Sequence, residues 1–199
     1  EHGDLDFLAF ECLAERTIAS ETLAMLHDPA AGYNRRLAER MTAVLPACAA
    51  NQVRIVTNMG AANPLGAARE TRRIASDLGL DTQCAVLLGD DVRETVAAMP
   101  ELVLLESGEP LEAILPRVAS ANAYLGADGI RDALATGADV VITGRVADPS
   151  LFVGPMLHAL DWDYDDYGQL GQATACGHLL ECAGQVTGAI SPIPATRTW

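Results

Sequence analysis

The stretch Asp139-Val140-Val141-Ile142-Thr143-Gly144-Arg145-Val146-Ala147-Asp148-Pro149 carries the plan of the fold. Val140, Val141 and Ile142 follow one another without a polar interruption, as in a strand covered on both faces. Gly144 breaks the run, Arg145 supplies a guanidinium, and Asp148-Pro149 opens a helix expected to reach Leu160. In parallel α/β sheets ligands bind at the carboxyl ends of the strands, so a strand that ends in such residues points to a site.

Three other stretches repeat the design. Leu5–Phe10 runs into Glu11-Cys12, Val53–Thr57 into Asn58 through Pro64, and Arg117–Ala121 into Asn122 through Gly126. A fifth short strand is expected over Gln83–Leu88. Between them lie helical patterns at 20–27, 35–48, 65–78, 90–99, 128–136 and 148–160, with a last one at 169–187. In the second, Leu37, Met41, Val44, Leu45 and Cys48 share one stripe. Asn63-Pro64 supplies a cap and first-turn residue for the third.

This alternation predicts an α/β domain with a mainly parallel β-sheet and helices on both faces, open, three-layered and Rossmann-like. Five strands fall short of a closed eight-stranded barrel, so part of a larger β/α barrel is the alternative. Residues 1–188 read as a single domain and residues 189–199 as an atypical tail.

The 199-residue chain carries a net charge of −14, which argues against nucleic acid, whose backbone demands clustered Lys and Arg. No window approaches the apolar length of a membrane span. Five scattered cysteines (Cys12, Cys48, Cys84, Cys176, Cys182) fit free thiols in a reducing compartment, so cytoplasm is expected.

The candidate site residues follow from chemistry at the strand ends. Arg145 forms a fork suited to carboxylate or phosphate, and Asp148 either joins it in a site or caps the next helix. Asn58 and Asn63 offer amides beside a small-residue loop, and Asn122 offers another. Glu11 suits a general base, and Cys12 reads either as a nucleophile or as buried filler. His178, Glu181, Cys182 and Gln185 fall on one helical face, where a thiolate pair or two metal ligands are both readable. The stretch lacks the second histidine of a zincin motif, so no metal is expected, and no glycine spacing marks a nucleotide cofactor. His2, His27 and His158 stand without such context, and the acidic run 161–167 lacks a calcium loop's glycine and glutamate.

Taken together, LDFLAFECLAERT (5–17), VRIVTNMGAANP (53–64), SANAYLGA (120–127), ADVVITGRVADPSLF (138–152) and GHLLECAGQVTG (177–188) resemble the N-terminal domain of the acyclic terpene utilisation AtuA family. The resemblance implies a bacterial catabolic enzyme of branched acyclic terpenoids such as citronellol and geraniol, acting on an acyl-CoA intermediate. It suggests a carbon–carbon lyase that releases an acetyl unit from a 3-hydroxy-3-branched glutaryl-CoA. Glu11 or His178 would then act as base, with Glu181 and Cys182 beside it, and Asn58, Asn63, Asn122, Arg145 and Asp148 would bind substrate. Against that family the chain is expected to lack a first strand with its glycine-rich segment. The edge so left predicts a homo-oligomer or a partner subunit. Two other readings are a non-catalytic ligand-binding subunit and a metal-assisted hydrolase built on His178 and Cys182.

Overall fold

The Val140–Thr143 run forms a strand with all four residues buried. It belongs to a computed structural model that describes residues 4–182 and 184 of the chain. The strands β1 (Phe7–Phe10), β2 (Arg54–Thr57), β3 (Cys84–Leu87) and β4 (Val140–Thr143) build one sheet. Their order is β1-β2-β4-β3, and each neighbouring pair is parallel. β4 is last in the chain yet central, paired on both sides, which accounts for its uninterrupted apolar run. The strands thus depart from chain order, with β4 lying between β2 and β3.

Alternation along each strand sorts the core onto two faces. Ile55, Val140 and Ile142 pack with Leu37, Met41, Leu45 and Cys48 of α2 (Leu37–Ala50) and with Ala67 and Ile74 of α3 (Pro64–Asp77). Val56 and Val141 pack with Ile130 and Leu134 of α6 (Asp128–Ala135) and with Leu151 of α7 (Ser150–Leu160). Helices therefore cover both faces of a parallel sheet, as expected. α1 (Glu15–His27) differs: with Leu13 it sets Ile18 against Ala61 of the loop after β2, so it crosses the strand ends. Two short helices, α4 (Arg93–Ala97) and α5 (Leu111–Ile114), connect β3 towards α6, and α8 (Tyr167–Cys182) packs on α7.

The structure corrects three expectations. Residues 117–121 form no strand. Arg117 still belongs to the 3-10 turn Leu115–Arg117, and Val118 is the one β-branched residue of the stretch. The segment instead crosses the strand ends, with Val92 N–H donating to Ala121 O and Ala123 N–H to Asp90 O. Nor does Asp90 open a helix. Gly89, at φ 115°, and an antiparallel bridge between Asp91 and Asn122 hold the chain extended until α4 starts at Arg93. α1 begins at Glu15 rather than Ser20. Gln185, the helix end expected at Thr187, the 189–199 segment and His2 lie outside the described residues.

The loop after β2 is tightly built. A Cβ on Gly60 would lie 2.5 Å from Thr143 O and 2.8 Å from Pro64 Cα, both backbone atoms. Gly60→Ala is therefore expected to cost about 1–3 kcal/mol in urea unfolding, as overpacking does. A loss under about 0.5 kcal/mol, the usual range for surface changes, would show that the loop shifts freely.

Candidate functional site

Every strand delivers polar residues to the same end of the sheet. Thr57, Asn58, Asp90, Thr143 and Arg145 are each at most 5% exposed there. Buried polar groups need partners, and the partners reveal what each residue does.

Asn58 ties β2 to the end of β1. Its Oδ1 accepts from Cys12 N–H at 2.7 Å, and its Nδ2 donates to Glu11 Oε1 at 2.9 Å. The same Glu11 oxygen accepts from Leu13 N–H at 2.9 Å. Asn63 caps α3 by accepting from Gly66 N–H at 2.9 Å, and it donates to Ala31 O at 2.7 Å and Pro29 O at 3.2 Å. These three expected site residues thus hold the floor and rim in place.

Arg145 is 1% exposed and held by two hydrogen bonds to backbone carbonyls and one ion pair. Its Nε donates to Val146 O at 2.9 Å, its Nη1 donates to Leu13 O, and its Nη2 pairs with Asp148 Oδ1. Its guanidinium lies 4.4 Å from the ring centre of Tyr124, whose hydroxyl donates to Glu15 Oε1. Asp148, readable as a helix cap, caps nothing: Pro149 occupies the N-cap of α7 and no side chain caps it. The buried guanidinium claims the carboxylate instead, because a buried charge requires a counter-charge.

Sequence reasoning passed over Asp90. Its Oδ2 accepts from Arg145 N–H at 2.8 Å and from Asn122 Nδ2 at 3.1 Å. A Cβ on Gly144 would come within 2.5 Å of that oxygen, so only glycine leaves room for the carboxylate. Burial pushes the Asp90 carboxyl above the ordinary carboxylate range, outweighing the hydrogen bonds from Arg145 N–H, Asn122 and its own backbone that favour its charge. The signal was there: Cys84–Leu88 is also an apolar run that ends in a glycine and two carboxylates.

Asp90 and Asn122 open onto a cleft of about 260 Å³ at the strand ends. Met25 and Leu26 of α1, Leu88 and Pro64 give it an apolar wall, and Arg93 stands at the polar end. Arg93 has no ion-pair partner among the described residues. Ala61, also on the wall, sits at φ 46°, a left-handed conformation that costs a non-glycine residue about 1–2 kcal/mol. Such strain gathers where a loop is held for function. A poised carboxylate, an amide and an apolar wall together suit proton transfer on a small, partly aliphatic molecule.

The other candidates sit elsewhere. Arg40 Nη1 reaches Cys12 Sγ at 2.6 Å, yet burial still raises the Cys12 thiol, which leaves it protonated rather than activated. His178, Glu181 and Cys182 come together near the end of α8, the helix that packs on α7. Cys182 Sγ donates to Glu181 Oε2 at 3.2 Å, a contact that raises the thiol. Among the described residues, no hydrogen bond or ion pair joins this group to Glu11, Asn58, Asn122 or Arg145.

All five cysteines are free thiols. Among the described residues, no helix is long and apolar enough to cross a membrane. The model of the family described as acyclic terpene utilisation family protein AtuA matches residues 1–196. No curated protein and no solved structure matches the chain.

Proposed function

We propose that this chain, which belongs to the acyclic terpene utilisation AtuA family, acts on the acyl end of a branched acyl-CoA at the cleft between Asp90 and α1. The reaction is a carbon–carbon lysis of a 3-hydroxy-3-branched glutaryl-CoA. The buried carboxylate of Asp90, its carboxyl raised above the ordinary range by burial and opening onto an apolar-walled cleft, is the observation that supports this reading. Asp90 removes the proton of the 3-hydroxyl group, the bond between C2 and C3 breaks, and its electron pair passes to the departing acetyl unit as an enolate. Asn122 holds the hydroxyl or carbonyl oxygen beside Asp90, and Arg93 attracts the free carboxylate. Glu11, Asn58 and Arg145 position the loops rather than touch substrate.

Size sharpens the assignment. Ligand pockets span about 300–1,000 Å³, so a cleft of about 260 Å³ suits the acyl group and leaves the CoA carrier outside. The assay is incubation of the protein with a 3-hydroxy-3-branched glutaryl-CoA and detection of the released acetyl unit by mass spectrometry. A parallel thermal shift reads binding. A ligand at about 100 times its Kd adds about 2.7 kcal/mol, some 5–10 °C for a chain of this size. Binding with turnover supports the lyase. Binding without turnover assigns the ligand-binding subunit instead, and no shift by any branched acyl-CoA rejects the cleft as the site.

A further inference from the structure

We propose that His178, Glu181 and Cys182, near the end of α8, form a binding site for one borderline divalent transition-metal ion of the zinc or cobalt type. The site is separate from the cleft, and the proposal does not depend on the lyase reading.

The geometry carries it. One ligand atom from each residue lies within 4.8 Å of the other two. Glu181 Oε2 is 3.2 Å from Cys182 Sγ and 3.9 Å from His178 Nδ1. Tetrahedral zinc, with bonds of about 2.0–2.3 Å, spaces its ligands by roughly 3.3–3.7 Å. The two measured separations bracket that spacing, and a small rotation about the His178 side chain closes the third. The i, i+3, i+4 spacing puts all three on one helical face.

The helix beneath the site is anchored. Ala173 packs with Val153 and Leu157 of α7, and a Cβ on Gly177 would lie 2.9 Å from Pro149 O. That contact fixes the turn from which the ligands project. The histidine side chain is 66% exposed, so an ion can enter and a fourth position stays open to water.

The donor set selects the ion. An imidazole, a carboxylate and a thiolate suit zinc and cobalt, whereas calcium and magnesium take oxygen donors. Without an ion, the Glu181 carboxylate faces a protonated thiol. A cation placed among the three replaces that proton, so each binding event releases about one proton from Cys182.

Cobalt(II) titration of the full chain tests the site, because a thiolate bound to cobalt gives a near-ultraviolet charge-transfer band. The expected result is a band that saturates at about one ion per chain and is displaced by zinc. Cys182→Ser should abolish it, and His178→Ala and Glu181→Gln should each weaken binding by at least about tenfold. Cys176→Ser should change nothing, and circular dichroism confirms that each variant is folded. The proposal is overturned by a wild-type protein that shows no band below millimolar cobalt. It is equally overturned by a band that survives Cys182→Ser or is lost with Cys176.

Discussion

Arg145→Met is expected to cost about 3 kcal/mol of stability, the largest loss of any single change at the strand ends. Methionine keeps much of the apolar stem and removes the guanidinium. Leu13 O and Val146 O then lose their donors, and Leu13 is 2% exposed, so water does not replace them freely. Each buried group left unsatisfied costs about 1–3 kcal/mol. The Asp148 side chain is 37% exposed and regains hydration, which holds the total to the lower end of the range for a broken buried pair. For a domain of this size that corresponds to a fall in Tm of about 6–12 °C. Urea and thermal unfolding of Arg145→Met beside Arg40→Met, a half-buried control, supply the measurement. Equal losses in the two variants would show that Arg145 is no keystone.

The contrast between Arg145 and Asp90 shows what the sequence made legible. The strand at 140–143, the loop glycines and the stripe of α2 were readable because period and composition are local signals. The parallel sheet followed from alternation alone. Residues 117–121 misled because Val118 and its small neighbours look strand-like, while their backbone partners, Asp90 and Val92, lie about 30 residues earlier in the loop after β3. Arg145 was chosen correctly as a strand-end residue, but sequence does not say whether a guanidinium faces ligand or backbone. That depends on Leu13, 132 residues away. Asp90 was hidden for a related reason. An acidic pair after a strand usually opens a helix, and only the third dimension shows Gly144 and Asn122 enclosing the carboxylate.

Asp90→Asn is expected to lower kcat/KM for the acyl-CoA substrate by about 100- to 10,000-fold, the usual worth of a positioned base. It should do so without lowering stability at neutral pH. The substitution is nearly isosteric, and both donors, Arg145 N–H and Asn122 Nδ2, meet the single oxygen Oδ2, which the asparagine carbonyl can replace. Burial raises the folded carboxyl above its unfolded value, so between those two values the folded state holds more protons than the unfolded. Stability therefore falls as pH rises from the ordinary carboxylate range through the raised value, and stays at its lower level above it. Asparagine carries no charge to desolvate, so the variant loses that slope and is at least as stable as the wild type at pH 7. Activity runs the other way: the base works only when deprotonated, so the acid limb of the wild-type profile lies above the ordinary carboxylate range. A residue that costs stability and supplies rate is the signature of a functional group, not a structural one. Retained turnover in Asp90→Asn would remove Asp90 from the chemistry. A stability loss as large as that of Arg145→Met would make it part of the scaffold.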